Sequence, residues 1–305
     1  MSEENSAVHV PSCCASCGIA EIDDTKLVPC DGCDLVRYCS DECQEDHKLE
    51  HEEACKKRAA ELRDKLLFEV PESSYRGDCP ICMIPLSLDL LTSTVYRCCS
   101  KLVCKGCVYA NDRREDEMRL APSCPFCREP IPETDEEIRK QVMKRVEAND
   151  PHAICEWGVE QFEKRDFSGA LEYFTKAATL GDAEAHYKLA LMYQIDECVE
   201  KDDEKYIYHL GEAAVSGHPD ARYFLGAYEW NSDNDLRAVK HWIIAATQGD
   251  DRSIKQLMKI FKEGFIKKVV LEHALRAHKA AVDATKTPLR EEAEIYSETS
   301  DLSFS

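Results

Sequence analysis

Beyond residue 133 the apolar positions fall at helical spacing, in short segments with recognisable ends. Thr134-x-x-Glu137 is a capping box, in which each side chain can bond the other residue's backbone N–H. Ile138, Val142 and Val146 continue an apolar stripe towards Asn149, which predicts a connecting helix over 133–149. From Asp150 the pattern repeats. Gly181-Asp182, Gly217-His218 and Gly249-Asp250 close successive units at offsets of 36 and 32 residues. Ala177-Ala178, Ala213-Ala214 and Ala245-Ala246 precede those glycines at one fixed distance. Ala185 and Leu189, Ala221 and Leu225, then Ser253 and Leu257 follow them, and Ala153 and Trp157 fit an earlier unit. A glycine at each boundary suits a left-handed helix cap, and paired alanines let helices approach closely. A period of 32–36 residues with helix–turn–helix content predicts a solenoid over 150–285, of three and a half to four units.

Within those repeats Tyr187 and Tyr223 recur at matching positions, as core residues or as the lining of a concave face. His209 and His241 also match and read as framework, while Cys155 and Cys198 have no partners in sequence. Nearer the N-terminus, Ser40 suits an N-cap, and Cys43, His47, His51 and Cys55 follow at i+4 spacing, which predicts a helix over 40–55. Ala59, Leu62, Leu66 and Leu67 predict a linking helix within a 56–75 linker, ended by Pro71. Residues 286–305, rich in Glu, Ser and Thr, read as an acidic tail, partly helical at most and then disordered.

Cysteine changes the picture of the first half. Fifteen of eighteen cysteines lie between Cys14 and Cys127, and they come in pairs, five of them C-x2-C. Cys55 pairs with His51 instead, giving sixteen candidate ligands, enough for four tetrahedral zinc ions. A disulfide framework would need an export signal, whereas Met1–Pro11 carries Glu3 and Glu4 and has no apolar segment. No run of about eighteen apolar residues is present, so no membrane span is expected. A reducing compartment, cytoplasm or nucleus, and metal ligation are therefore expected.

The net charge of −20 opposes binding to a phosphate backbone, so no nucleic-acid partner is expected. Residues 1–60 carry 6 basic and 14 acidic side chains, whereas residues 76–132 carry 8 and 7. The middle segment is thus the surface least repulsive to an acidic partner, and its basic residues also offset anionic zinc thiolates.

The spacing C14-x2-C17, C30-x2-C33, Y38-C39-x3-C43-Q44 and H51-x3-C55 resembles a MYND zinc finger over 13–55. The resemblance implies two interleaved zincs. Cys14, Cys17, Cys39 and Cys43 would hold one, and Cys30, Cys33, His51 and Cys55 the other. Cys13 stands beside Cys14 as an alternative ligand, and His47 beside His51. The family binds short proline-containing peptides, but Lys48 stands here where a tryptophan is usual.

Over 76–132 the order C79-x2-C82, C98-C99, C104-x2-C107, C124-x2-C127 resembles a RING finger, all-cysteine where the usual form has a histidine. The cross-brace it implies joins Cys79, Cys82, Cys104 and Cys107 at one ion, and Cys98, Cys99, Cys124 and Cys127 at the other. Adjacent cysteines point apart in an extended strand, so the chain must turn at Cys98-Cys99. With four thiolates on each ion no position is left for water, which disfavours a hydrolytic zinc enzyme. The resemblance further implies that Ile81, Pro125 and Phe126 form a platform for a ubiquitin-conjugating enzyme. Arg128 would bridge that enzyme and ubiquitin. The repeats resemble Sel-one-like repeats, relatives of the tetratricopeptide repeat, which bind proteins or peptides.

The expected architecture is multidomain: two small zinc-stabilised α+β modules followed by an all-α helical-repeat solenoid. The expected function is a ubiquitin ligase of RING type, whose MYND finger and repeats recruit protein substrates. The alternative is a non-enzymatic interaction scaffold with structural zinc sites. A methyltransferase is disfavoured, because the chain has no Gly-rich cofactor-binding stretch and no alternating-strand segment.

Overall fold

The computed structural model describes residues 13–21 and 26–301. The N-terminal stretch Met1–Pro11 and residues 302–305 of the expected tail lie outside the described residues. The chain divides into two compact units, up to Glu69 and from Val70 onward.

In the first unit a short antiparallel hairpin, β1 (Val28–Pro29) and β2 (Arg37–Tyr38), precedes one long helix, α1 (Asp41–Leu67). Ser40 caps α1 by accepting from the Cys43 N–H at 3.3 Å. The two helices expected over 40–55 and 56–70 are therefore one. No glycine or proline interrupts the junction, and the helix ends at Leu67, ahead of Pro71. Cys14, Leu27 and Tyr38 form the small buried centre.

The second unit opens with a strand pair, β3 (Ser93–Tyr96) and β4 (Lys101–Cys104), in antiparallel register Ser93↔Cys104. The chain passes directly into α2 (Lys105–Met118) and then α3 (Asp135–Glu147). Both bonds of the Thr134/Glu137 capping box are formed. Eight helices follow: α4 (Pro151–Glu163), α5 (Phe167–Thr179), α6 (Ala183–Gln194), α7 (Asp203–Val215), α8 (Pro219–Asn231), α9 (Asp235–Thr247), α10 (Asp251–Lys262) and α11 (Lys268–Ala284). They stack as consecutive antiparallel pairs. Gly181, Gly217 and Gly249 take φ of 88°, 86° and 96°, the left-handed caps that let the next helix start two residues later. The side chains of Asp182, His218 and Asp250 cap those next helices. The paired alanines before each glycine, and Leu189, Leu225 and Leu257 after it, are buried.

The concave-face alternative for Tyr187 does not hold. Tyr187 is buried, its ring 4.5 Å from that of His218. The other side of His218 is taken by Tyr75, at 4.6 Å, whose hydroxyl donates to Glu184 Oε2 at 3.2 Å. The segment leading into the second cysteine module thus lies against α6 and α8. Tyr223 is partly buried in the core around Trp242, with the Arg252 guanidinium 5.0 Å from its ring centre.

The acidic end differs most from expectation. Residues 288–301 form α12 (Pro288–Asp301), packed against α2, and are no disordered tail. Thr287 Oγ1 accepts from the Arg290 N–H at 3.2 Å, and Pro288 supplies a helical first residue. Arg290 and Ala293 are buried. A composition too polar to fold alone is ordered by this tertiary contact.

Candidate metal centres

Three segments fold into the same turn. In Cys14–Cys17, Cys79–Cys82 and Cys124–Cys127 the first cysteine's carbonyl accepts from the N–H four residues on, at 2.9, 2.8 and 2.9 Å. Its own N–H donates to the carbonyl five residues on, at 2.8, 3.0 and 2.8 Å. The residue after the second cysteine is left-handed in each case: Gly18 (φ 75°), Met83 (φ 56°) and Arg128 (φ 64°). The turn folds both sulfurs to one side and presents backbone N–H groups to the first. Burial pushes the Cys14 thiol up, but N–H groups of Cys17, Cys39 and Ser16 outweigh it and bring the group to about 6. Cys79 is brought to about 7 in the same way, by N–H groups of Cys104, Cys82 and Ile81 against burial. Ligation needs the thiolate, and in these two clusters the charge gathers on the first cysteine of the turn, while Cys17, Cys39 and Cys107 are pushed up.

Four clusters result, each of four donor atoms lying within 4.8 Å of one another. Cys14, Cys17, Cys39 and Cys43 form one, with Cys17 and Cys39 sulfurs 3.5 Å apart. Cys30, Cys33, His51 and Cys55 form the second, with His51 Nε2 3.2 Å from Cys33 Sγ. His47 instead meets the Tyr38 hydroxyl through Nδ1 at 3.0 Å and stacks on His51, so it orients the ligand and is not one. Cys13 lies outside the cluster, in a bridge with Ala20.

In the second unit the cross-brace is present. Cys79 and Cys82 meet Cys104 and Cys107, while Cys98 and Cys99 meet Cys124 and Cys127. The adjacent cysteines reach one point because the chain turns between β3 and β4, with Cys99 N–H donating to Tyr96 O and Ser100 at φ 53°. Sulfur separations of 3.4–3.9 Å are far beyond a disulfide. They match the roughly 3.8 Å edge of a tetrahedron with Zn–S near 2.3 Å. Donor type, number and spacing all fit zinc.

Of the three platform residues, Ile81 and Phe126 stand on the surface at the tips of their turns, 42% and 44% exposed. Pro125 does not join them. It is buried, since the turn that directs Phe126 outward directs its neighbour inward. Arg128 is exposed, but its guanidinium donates to Asn111 Oδ1 on α2. Asn111 Nδ2 donates in turn to Ser123 O at 3.2 Å, and Glu115 accepts from the Ser123 hydroxyl at 2.6 Å. These two buried α2 residues fix the loop that carries Cys124 and Cys127.

Sequence reasoning missed Arg290. From α12 its guanidinium reaches the first cross-brace cluster, donating to Cys82 Sγ at 3.4 Å and to the Ile84 and Pro85 carbonyls at 3.0 and 2.6 Å. Only the glycine between Cys104 and Cys107 hinted at it. A Cβ on Gly106 would stand 3.1 Å from the Arg290 and Leu289 backbone.

Residues 14–55 match the MYND finger family. Residues 154–182, 183–218 and 219–250 each match the Sel1 repeat. No curated protein matches the sequence. A Sel1 repeat protein from Oxalobacter formigenes is 24% identical over 40% of this chain and 97% of its own, with a TM-score of 0.37. The protective antigen c5321 of uropathogenic Escherichia coli, which displays an SLR fold, is 20% identical. That match spans 55% of this chain and 37% of the antigen, with a TM-score of 0.39.

Proposed function

We propose that this chain is a RING-type ubiquitin ligase holding four zinc ions, built on a protein-interaction scaffold. A MYND finger and Sel1 repeats are interaction modules, and both are present. The observation that carries the finer reading is the cross-brace of Cys79/Cys82/Cys104/Cys107 with Cys98/Cys99/Cys124/Cys127, together with exposed Ile81 and Phe126 on its two turns. Zinc at these sixteen ligands supplies folding, because every position on each ion is filled by the protein. Catalysis would be orientation. A lysine amine of the substrate attacks the thioester carbonyl carried by the conjugating enzyme. The C–N bond forms, the C–S bond breaks and the enzyme's thiol leaves. Ile81 and Phe126 would seat the conjugating enzyme. Arg128, planar and with five donors, would hold two carbonyl partners at once. To do so it would leave Asn111. The same zinc thiolates favour a reducing compartment, cytoplasm or nucleus.

The test is autoubiquitination by the zinc-loaded chain against a panel of conjugating enzymes. Activity should vanish in Ile81→Ala and fall at least several-fold in Arg128→Ala, with zinc content unchanged. Silence across the panel at full zinc occupancy would sink the ligase reading. The second reading, a scaffold without ligase activity, draws on the buried Pro125 and on the bond that holds Arg128 to Asn111.

A further inference from the structure

The first cross-brace cluster receives a cation from the far end of the chain. Arg290 is 8% exposed, and its two terminal nitrogens donate to Cys82 Sγ, Ile84 O, Pro85 O and Thr285 O. It also stands beside Cys104. The helix that carries it is fixed independently of the sulfurs. Glu292 accepts from the Tyr109 hydroxyl and the Arg113 guanidinium, both at 3.3 Å, and the Tyr296 ring lies 5.1 Å from Tyr109. Gly106 lets the two backbones meet. Near the other cross-brace cluster the comparable cation, Arg145, bonds Ser100 and Asp150 and not a sulfur.

A divalent ion on four thiolates leaves two negative charges in a half-buried place. A guanidinium is charged at every accessible pH, and a hydrogen bond from it to a thiolate lowers that sulfur's nucleophilicity. We infer that Arg290 is an outer residue of the Cys79/Cys82/Cys104/Cys107 zinc site, so that retention of this one zinc depends on the C-terminal helix. The inference rests on the reading of the cluster as a zinc site. It is the chain's only such coupling between α12 and metal among the described residues. Detaching α12 would both bare a face of α2 and loosen the metal beneath it.

The experiment uses the full chain loaded with zinc, and follows release to a chromogenic chelator. Differential alkylation with mass spectrometry reports which cysteines become free. Arg290→Gln should weaken one zinc in four by roughly 10–100-fold, the loss common for an outer hydrogen-bond partner. Cys79, Cys82, Cys104 and Cys107 should be alkylated first. Arg290→Lys, with charge but no fork, should fall between. Glu292→Gln, which gives up the bonds to Tyr109 and Arg113 but leaves the Arg290 guanidinium on the sulfur, should change release far less than Arg290→Gln. Unaltered release in Arg290→Gln would overturn the inference. So would equal weakening of all four zincs, or a Glu292→Gln loss as large as that of Arg290→Gln. A wild-type chain that holds no zinc on those four cysteines would remove the module reading as well, a distinct result.

Discussion

Replacing Gly226 by alanine tests the packing of the solenoid where a helix backbone meets a buried ring. In an open helix this change would stabilise by about 1 kcal/mol, because alanine is the better helix former. Here a Cβ would stand 2.5 Å from Trp242 Nε1, 2.8 Å from Cδ1 and 2.9 Å from Cε2. Ordinary contact is about 3.5–4.0 Å, so the indole must retreat by about 1 Å. It has nowhere to go. Trp242 is 1% exposed, with the Trp230 ring 5.6 Å away and its own N–H bonded to Tyr223 O at 3.2 Å. Overpacking costs about 1–3 kcal/mol, and a buried N–H pulled from its acceptor about 1–3 more. Less the helix gain, the net loss is roughly 3 kcal/mol. For a unit of this size that lowers Tm by about 6–12 °C. Thermal unfolding followed by tryptophan fluorescence and circular dichroism would measure it. The double variant Gly226→Ala/Trp242→Phe should recover a good part of the loss, since the smaller ring vacates the space. A Gly226→Ala protein as stable as wild type, or more so, would refute the reasoning. Gly158 faces Phe174 in the same way, with a Cβ at 2.7 Å, while the middle unit places Ala190 where the others have glycine and Tyr206 as its ring.

Two further outcomes are expected. His186 and His209 meet through their Nδ1 atoms at 3.0 Å, a contact with room for one proton. Burial, and the charge of His186, push His209 down to about 4. Its unfolded value is near 6.5, so the fold binds this proton more weakly than the unfolded chain does. The contribution is whole above about pH 6.5 and is lost as pH falls towards 4. A histidine NMR titration placing His209 near 6.5 would remove that account. Chelation of zinc should unfold the first unit, since each structural zinc in small fingers contributes on the order of 10–16 kcal/mol. The cross-brace over 76–132 should open with it while the repeats keep their helicity, so new protease cuts should concentrate within 13–55 and 76–132, and a first unit left resistant would count against structural zinc there.

Much of this molecule is legible in sequence because the constraints are local. A C-x2-C pair, a glycine two residues ahead of a helix, and a Thr-x-x-Glu box each act within about five residues, and each appears where its spacing pointed. The turn at Cys98-Cys99 follows from the need to bring two neighbours to one ion. What stayed hidden is long-range. Nothing near Arg290 marks it as the partner of a sulfur 208 residues away. The polar composition of α12 gives no sign of the α2 face that orders it. Tyr75 reads as a linker residue until His218 and Glu184 are beside it. The inward turn of Pro125 depends on backbone direction at a single residue, which spacing alone does not specify.

A stack of repeats is ordinarily open at both ends, and each repeat feels only its neighbours, so the ends fray first. Here the polypeptide enters along α6 and α8 through Tyr75 and returns to α2 through Arg290 and Glu292. The array is clasped like a bracelet. Contacts that span 183 to 208 residues carry the largest closure cost and should form late, and they must break before the final helices can peel away. The outermost helices should therefore exchange their amide hydrogens almost as slowly as the middle ones, and a chain stopped short of residue 290 would lack the clasp altogether.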